Sequence, residues 1–455
     1  MKSYLPLFII ILLFQVTVQA EITLDGTLGP RMALPAPDYV IPAELGQQLG
    51  SNLFHSFETF NLNINESATF EGPSSINNIL SRVTGGMSST IDGTLRSTIP
   101  NADFYFINPA GILFGPNATL DIQGSFHAST ADTLHFSDSN QFSATHPAAS
   151  VLTVAPVSAF GFLTDSPQSL SIESSQLNTT GKTLSFIGGN LQITNAFLTA
   201  TAGRINLASL ASQGDVYLGS DLLVSSNERG HISLQNSEIT STEGGSSGGI
   251  YIRGGEFVLE NTLVQSTTSS VTNAGEINIQ AHNLRASQGG RFVSNTQGSG
   301  QGAPIKIKID EFTEFSGDIT LNNKVEKSRI ALFAFGQGNG GNLDLETASL
   351  RLNGGSYLST ATFGLSQGGH LDIRVTDDIR LSGLSSNGEG SFIAAYTLGT
   401  IKNAGNGGMI DLKAKNLQFS EGAQITTGTT GPGQGGNTHI QVTEMISLAG
   451  EDQNP

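Results

Sequence analysis

One short pattern recurs along this chain at nearly constant spacing. It reads glycine, any residue, Ile or Leu, any residue, Ile or Leu. Clear copies begin at Gly203, Gly230, Gly248, Gly275, Gly341, Gly369 and Gly408, and weaker copies begin at Ala303 and Gly436. Successive copies lie 27, 18, 27, 28, 38, 28, 39 and 28 residues apart. A fixed period of about 20–50 residues indicates a solenoid, and the two longest intervals predict one unit with an insertion.

Each unit contains enough apolar positions for three short strands. Residues at i and i+2 point to the same side of a strand, so the repeated pattern predicts one inward face. A second apolar pair follows, as at Phe257 and Leu259, then a third strand, as at Ala423–Thr427, and a glycine-rich turn, as at Gly336–Gly341. Three strands and three turns describe one coil of a parallel β-helix, in which strands of successive coils pair about 4.8 Å apart.

Other fold classes fit this pattern less well. An α-helical stripe at i, i+3, i+4 and i+7 is missing, while Gly and β-branched residues are frequent. An all-β sandwich remains the competitor, and it predicts hairpins in place of a constant coil length. We therefore predict an all-β fold, a right-handed parallel β-helix (solenoid), whose N-terminal part is a cap that covers the open end of the helix.

Composition narrows the chemistry. The 455 residues include no Cys, which excludes cysteine nucleophiles, thiolate metal sites and disulfides. The net charge of −17 argues against nucleic acid as a partner. Only 13% of residues are charged, against about 25% in average proteins. These values are typical of an extracellular solenoid, and we expect no cofactor and no bound metal.

The first twenty residues resemble a cleaved secretory signal. Lys2 supplies a positive charge, Leu5–Phe14 is almost wholly apolar, and Val18 and Ala20 are small residues at the −3 and −1 positions of a cleavage site. The apolar stretch is shorter than the ~20 residues that span a bilayer, which argues against a membrane anchor. We expect a signal peptide at 1–20, a secretion domain with the cap and the first coils at 21–200, and β-helix repeats of about 28 residues at 201–455.

The stretch Asn108–Gly115 is the most distinctive local sequence. Asn108-Pro109-Ala110-Gly111 has turn chemistry, since Pro fixes φ and Gly permits a positive φ, and Ile112 then enters the core.

A lone charge lies earlier in the same part of the chain. Arg82 stands among polar and apolar residues, so we expect it to pair with a nearby carboxylate such as Asp92 or Asp103.

Several segments, in this order, resemble the secretion domain of filamentous-haemagglutinin-like exoproteins. They are Glu21–Gly29, Asn52–Asn61, Ile79–Gly86, Ile91–Gly93, Asn108–Ile112 and Gly124–Ala131. The resemblance implies an N-terminal haemagglutination activity (secretion) domain, recognised by an outer-membrane partner transporter through its periplasmic domains. It also implies export in an unfolded state and winding into a β-helix outside the cell. Ala110 stands where the family commonly has Asn, and the family's earlier Asn-Pro-Asn-Leu motif has no counterpart, so the chain resembles a divergent branch.

The resemblance assigns a secretion motif to thirteen residues. These are Asn52, Phe54, His55, Arg82, Gly85, Gly86, Asp92, Gly93, Asn108, Pro109, Ala110, Gly111 and Ile112. Two interpretations stay open for them, and they are compatible. The residues hold the shape of the cap, or they contact the secretion pore directly.

No residue set predicts catalysis. The eight His form no His-Glu-x-x-His pattern, and no P-loop occurs. Asp344, Asp372 and Asp411 recur at one outward slot of the repeat, which is the single hint of a β-helical enzyme acting on carbohydrate.

We therefore predict a non-enzymatic exoprotein of a two-partner secretion system. It is secreted or held at the surface of a Gram-negative-type bacterium after passing through the periplasm. We expect it to act as an adhesin that binds an unidentified host or surface receptor, such as a glycan. The alternatives are a carbohydrate-active enzyme and the export domain of a larger toxin or haemolysin.

Overall fold

A computed structural model describes residues 22–226, 228–245 and 248–450, and the predicted signal peptide lies outside these ranges. The chain winds into a parallel β-helix with three faces, as the sequence predicts. Strand after strand pairs in parallel with its counterpart in the next coil, for example Ile277 with Ile305 and Ile305 with Leu343. The described residues contain no α-helix, and no helix among them is long and apolar enough to cross a membrane.

Face 1 carries the strands that begin most copies of the repeat. Its strands are β5 (Asn52–Phe60), β7 (Asn78–Val83), β10 (Asp103–Ile107), β13 (Phe126–Ser129), β19 (Thr183–Gly188), β22 (Arg204–Ser209), β27 (Gly249–Arg253), β30 (Glu276–Ser287), β32 (Ile305–Ser316), β36 (Leu343–Thr347), β39 (Leu371–Val375), β42 (Ile410–Phe419) and β44 (Thr438–Leu448).

Face 2 follows face 1 in each coil. Its strands are β8 (Ser89–Ile91), β11 (Ile112–Phe114), β17 (Leu170–Glu173), β20 (Leu191–Thr194), β25 (Ile232–Gln235), β28 (Glu256–Glu260), β37 (Ser349–Asn353) and β40 (Asp378–Ser382). The long strands β30, β32, β42 and β44 continue from face 1 into face 2.

Face 3 completes the coil and consists of two parallel sheets. The first contains β3 (Asp38–Pro42), β6 (Ser67–Glu71), β9 (Thr94–Ser97) and β12 (Thr119–Asp121). The second contains β18 (Gln176–Thr180), β21 (Phe197–Thr201), β26 (Glu238–Thr242), β29 (Leu263–Thr268), β31 (Arg291–Thr296), β35 (Arg329–Ala334), β38 (Tyr357–Thr362), β41 (Phe392–Thr397) and β43 (Gln424–Thr429).

An antiparallel cap precedes the first coil, as expected. It consists of β1 (Ile22–Asp25), β2 (Arg31–Ala33), a 3₁₀ turn (Ala43–Leu45) and β4 (Gln47–Leu49). Strands β1 and β4 both pair antiparallel with β5, so the edge that the first coil would expose is occupied. A covered edge removes a template for aggregation.

A second, outer sheet lies outside face 1 and was not predicted from the sequence. It contains β14 (Thr133–Phe136), β15 (Gln141–Ser143), β16 (Val157–Phe162), β23 (Gly214–Leu218) and β24 (Leu222–Val224), with a 3₁₀ turn at Pro147–Ala149. Its strands come from two excursions, one after β13 and one after β22, which leave the coil at the same corner. They join through the antiparallel pair β16 and β23.

The outer sheet explains why face 1 changes character along the chain. Beneath it, β22 and β27 are buried on both sides, whereas β36 and β39 alternate between buried and half-buried residues. A second apolar core, which includes Phe54, Tyr105, Phe160 and Val216, fills the space between face 1 and the outer sheet. Burying one large apolar side chain contributes about 1.5–3 kcal/mol, so this second core fixes the outer sheet to the helix.

Left-handed residues turn the chain between face 2 and face 3. Asn195, Asn236, Asn261 and Gln288 occupy this corner in successive coils with φ between 45° and 54°. The Asn261 Nδ2 atom donates a hydrogen bond of 2.8 Å to Asn236 Oδ1, so the side chains are stacked as well. Asn is among the few non-glycine residues that tolerate this conformation.

Two insertions account for the longest intervals of the repeat, as predicted. The first is an antiparallel hairpin, β33 (Asp318–Leu321) and β34 (Lys324–Lys327). The second interval is lengthened by the longer connections on either side of β41. Ser386 in the first of these loops donates a side-chain hydrogen bond of 2.6 Å to Asp318 of the hairpin, so the two insertions contact each other.

One copy of the repeat lies on a different face of the β-helix from the other copies. The copy at Gly230 forms β25 on face 2, whereas the copies at Gly203 and Gly248 form β22 and β27 on face 1. The interval from Gly203 to Gly248 is therefore one coil that contains the excursion β23 and β24. The short spacing of 18 residues separates a face 2 strand from a face 1 strand of the next coil.

Candidate functional site

The Asn108 turn lies between β10 and β11 and is held by its first side chain. Asn108 is fully buried, and its Nδ2 atom donates hydrogen bonds of 2.9 Å to the Met87 carbonyl and to Ser89 Oγ. Its Oδ1 atom accepts a 2.9 Å hydrogen bond from the backbone N–H of Ala110, which closes the turn. Gly111 adopts a φ of 116°, as the turn chemistry predicts. Pro109 and Ala110 are half-buried at the surface.

Through Met87 and Ser89, the Asn108 side chain also positions a neighbouring loop. Residues Gly85–Ser88 are exposed, and Met87 is 63% exposed. A Cβ atom on Gly85 would overlap the carbonyl oxygen of Glu58, whereas Gly86 has a φ of 75° and open space around it. The loop is therefore anchored at its start and is open to solvent in its middle.

Asp92 and Gly93 follow β8 and form the corner between faces 2 and 3. Asp92 Oδ1 accepts a 2.8 Å hydrogen bond from the Asn117 backbone N–H of the next coil. A Cβ atom on Gly93 would overlap the carbonyl oxygens of Asn63 and Glu66, so this corner has room only for glycine. Ile112 packs into the main core at 3% exposure.

Arg82 is the largest fully buried polar side chain of this region, at 1% exposure. Its Nε atom donates a 2.8 Å hydrogen bond to Ser56 Oγ in the previous coil. Its Nη1 atom donates to the Ser143 carbonyl at 2.7 Å and to Ser150 Oγ at 2.6 Å in the outer sheet and its following turn. Its Nη2 atom donates to Thr27 Oγ1 in the cap at 3.0 Å. One guanidinium thus joins the cap, face 1 and the outer sheet.

The prediction that Arg82 forms an ion pair with Asp92 or Asp103 is wrong. Asp92 faces the next corner, and Asp103 accepts a 2.7 Å hydrogen bond from the Ser125 N–H. The carboxylate that acts on Arg82 is Asp25 of the cap, which reaches it through Ser56: Ser56 Oγ donates to Asp25 Oδ2 at 2.6 Å. Burial lowers the pKa of Arg82 to about 10, and the charge of Asp25 opposes that fall.

Two further motif residues attach β5, the first strand of face 1, to the excursion that forms part of the outer sheet. Asn52 is buried, and its Nδ2 atom donates hydrogen bonds of 2.9 Å to the carbonyls of Thr153 and Ala155. Phe54 packs edge-on against Phe142 with ring centroids 5.1 Å apart. Both residues therefore act on the excursion that follows β13.

His55 points into the main core and has no hydrogen-bond partner on either ring nitrogen among the described residues. Its ring lies edge-on against Phe70, with centroids 5.3 Å apart. Burial lowers the pKa of His55 to about 3, so the imidazole is neutral at physiological pH.

The structure brings Asn52, Phe54 and Arg82 together where face 1 meets the outer sheet, and it places Asp92 and Gly93 at a separate corner. It also adds residues that sequence reasoning missed. The added residues are Asp25, Thr27, Ser56, Ser143 and Ser150, all partners of Arg82 directly or through one hydroxyl. Short polar residues are common in this chain, so no sequence signal separated these five from the rest. Most of the predicted motif is buried, and the exposed part is the Gly85–Ser88 loop with Pro109 and Ala110.

The carboxylates suspected of catalysis lie elsewhere, in the second half. Asp344, Asp372 and Asp411 are in register on the outer side of face 1, as their spacing predicts. The Arg374 guanidinium forms ion pairs with Asp344 and Asp372, and with Glu346 at 2.9 Å. Among the residues that the structure describes, no group of three or more His, Asp or Glu is placed to hold a metal ion.

Comparison with known proteins assigns the N-terminal part of the chain. A parallel β-helix with an antiparallel cap and an outer sheet defines the class of protein, a β-helical solenoid. The family model of the TPS secretion domain matches residues 20–221. Those residues contain the cap, the Arg82 junction, the Asn108 turn and all of the outer sheet except its last strand. Residues 20–221 therefore carry a TPS secretion domain, which supports a two-partner secretion exoprotein.

Two solved structures are similar to this chain. The HMW1 secretion domain from Haemophilus influenzae is 14% identical, with 95% of this chain and 97% of that chain covered and a TM-score of 0.42. The filamentous hemagglutinin secretion domain is 11% identical, with 95% and 98% covered and a TM-score of 0.31. No curated protein matches the chain. The TPS secretion domain implies a secreted protein that crosses the outer membrane with a transporter as its partner.

Proposed function

We propose that this chain is exported through a cognate outer-membrane barrel, whose periplasmic domains recognise residues of the secretion motif, and that it then acts outside the cell as an adhesin-like binding protein. The match of residues 20–221 to the TPS secretion domain is the observation that carries the export part. The long, regular solenoid supports the binding part, because stacked coils offer an extended surface.

Within the motif, we assign the two roles to different residues. The buried members, including Asn52, Arg82 and Asn108, hold the cap and the outer sheet on the first coils. We assign contact with the transporter to the exposed loop Gly85–Ser88 and the half-buried Pro109. The division rests on burial, because packing in the folded coils already accounts for the buried side chains and does not account for the exposed ones.

Export is tested by measuring this protein in the medium of cells that contain or lack the partner barrel. Loss of the protein from the medium of barrel-deficient cells is expected, with an unrelated secreted protein as control. Unchanged export without the barrel would refute the proposal.

The two roles are separated by a pair of surface variants. Met87→Ser changes the exposed loop and is expected to lower export without changing the melting temperature of the purified protein. Met409→Ser changes a 38% exposed methionine outside the matched domain and is expected to leave both quantities unchanged. Wild-type export by Met87→Ser would remove the loop from the contact surface.

We propose no catalytic role for the chain, and the ion pairs of Arg374 support this. A guanidinium that bridges Asp344 and Asp372 balances their charge and joins two neighbouring coils, which is a structural role. The same register is what favours the second candidate, a carbohydrate-active enzyme. Release of reducing ends from a polysaccharide panel by the purified chain, abolished by Asp372→Asn, would establish that candidate instead.

A further inference from the structure

A polar recess opens at the corner between face 3 and face 1, away from the secretion motif. Its volume is about 240 Å³, and its lining residues are Gly245, Asn273, Ala274, Glu276, Gln301, Gly302, Pro304 and Asn342. At roughly 30 Å³ for each water in the liquid, the recess has room for about eight water molecules. This is the scale of one sugar unit.

The recess exists because small residues surround one acidic residue in register. Gly249 pairs with Glu276 in the coil below, and Pro304 and then Asn342 occupy the same position in the two coils above. Gly249, Glu276, Pro304 and Asn342 form a column, with one residue from each successive coil. Gly249 has no side chain and Pro304 has a compact ring, so space is left on both sides of the Glu276 side chain. The recess is therefore a property of this column in these coils.

The charge of the recess is balanced. Glu276 Oε2 forms an ion pair of 2.7 Å with Lys306 Nζ, and Glu276 Oε1 accepts a 3.1 Å hydrogen bond from Asn278 Nδ2. A hydrogen bond from Tyr251 completes the set and helps to keep the pKa of Glu276 below its usual value against the effect of burial. A cation would have to displace Lys306, and an anion would approach the Glu276 carboxylate, so both are disfavoured.

The remaining groups match hydroxyls. Asn273 Oδ1 accepts from the Gln301 backbone N–H at 2.8 Å, and Asn342 Oδ1 accepts from the His370 N–H at 2.9 Å. Their amide nitrogens are thus the donors left for a ligand, while the Glu276 carboxylate, with about four lone-pair sites, keeps acceptor capacity. A hydroxyl donates and accepts, so neighbouring hydroxyls of a sugar can use both kinds of group. Pro304 and Ala274 supply an apolar wall for its C–H groups.

We propose that this recess binds one uncharged sugar unit of a glycan, with Glu276 accepting from hydroxyls and Asn273 and Asn342 donating to them. The inference rests on the proposed extracellular binding function and names a ligand class for it. A single shallow site of this kind gives a millimolar Kd, which corresponds to about −4 kcal/mol.

The test uses the purified secreted chain and the methyl glycosides of glucose, galactose, mannose and N-acetylglucosamine. Saturation-transfer NMR detects binding, and titration gives the Kd. At least one of these neutral glycosides is expected to bind. Glu276→Gln and Asn342→Ala are each expected to weaken that binding about tenfold, since each removes a hydrogen-bonding group or its charge.

Glu256→Gln is the matched control. Glu256 also lies on the outer surface and pairs with a basic residue of the next coil, Arg285, at 2.8 Å, but it does not line the recess. Its sugar binding is expected to equal that of the wild type. Glu276→Gln and Glu256→Gln each lose one ion pair, so their melting temperatures are expected to fall slightly and by similar amounts. The proposal is overturned if none of the four glycosides binds, or if glucuronic acid, N-acetylneuraminic acid or Ca²⁺ is the tighter ligand. Binding that survives both recess variants, or that Glu256→Gln weakens equally, overturns it too. Barrel-dependent export is a separate readout, so failure of one proposal is distinguishable from failure of the other.

Discussion

His55 makes the stability of the secretion domain depend on pH, and the size of the effect follows from its burial. In the unfolded chain the pKa of this side chain is the ordinary 6.5, and in the folded chain burial lowers it to about 3. The unfolded state therefore binds more protons between these two values. The contribution of neutral His55 to stability is fully present above pH 6.5 and decreases as the pH falls towards 3.

The magnitude follows from linkage. Each pH unit between the two pKa values changes the free energy of unfolding by about 1.4 kcal/mol. From pH 7.5 to pH 4.5, His55 alone is expected to remove about 2.7 kcal/mol. His127, whose pKa burial lowers to about 4, adds its own loss, but that loss is common to wild type and variants at position 55.

The perturbation is His55→Leu, which removes the titrating group and keeps an apolar side chain beside Phe57 and Phe70. Urea unfolding at pH 7.5 and pH 4.5, followed by circular dichroism, measures the difference. The variant is expected to lose about 2.7 kcal/mol less than the wild type on acidification. At pH 7.5 it is expected to be at least as stable, because two buried, unpartnered ring nitrogens are removed.

His231→Leu is the control, since His231 is exposed. It is expected to behave as the wild type at both pH values. An identical acid dependence of His55→Leu and the wild type would refute the reasoning, because it would mean that His55 does not titrate differently in the two states.

Three further changes test other parts of the structure. Arg82→Met removes hydrogen bonds to the cap, to face 1 and to the outer sheet. It is expected to lower the free energy of unfolding, measured in urea, by about 3–5 kcal/mol. A loss below about 1 kcal/mol would show that Arg82 does not hold these three parts together. Gly85→Ala forces a methyl group against the Glu58 carbonyl and is expected to lower the melting temperature by several degrees, whereas Gly219→Ala, whose new Cβ would meet only ordinary contacts, serves as the unaffected control. Burial raises the pKa of Glu243, but hydrogen bonds from Ser269, Ser270 and Thr268 outweigh that effect and lower the pKa to about 2. The melting temperature of Glu243→Gln is therefore expected to lie below that of the wild type at pH 7. The difference between the two is expected to disappear as the pH falls from 4.5 to 2. A gap that stays constant over that range would count against this assignment.

The helical coils could be predicted from the sequence because their inner face repeats. Ile277, Ile305 and Leu343 occupy one slot in three coils, and the spacing alone places them in register. The outer side of face 1 carries no such repeat in the first half. Its residues, such as Tyr105 and Ile187, are apolar because the outer sheet covers them, and that sheet forms between segments far apart in the chain.

For the candidate site, the sequence predicts the turns correctly but not the hydrogen-bond partners of Arg82. Asn108 closes its own turn, which is local chemistry and visible in the sequence. Arg82 is joined to Ser143 and Ser150, more than sixty residues away. A carboxylate nearby in sequence, such as Asp92, was a poor guide because side chains on different faces of a coil point in different directions.

The outer sheet also determines the order in which this part of the chain can be completed. Phe160 in β16 pairs in register with Val216 in β23, and the coils formed by β17 to β22 lie between them in sequence. In a chain that folds from its N-terminus onwards, the apolar side of β16 can pack on face 1, but one edge of β16 stays unpaired until residues 214–218 are available. Arg253 follows, donating to the Leu222 carbonyl at 2.8 Å and so joining the last strand of the sheet to the next coil. The sheet thus sets a minimum length of chain, below which an N-terminal fragment leaves this strand edge open for another chain to pair with.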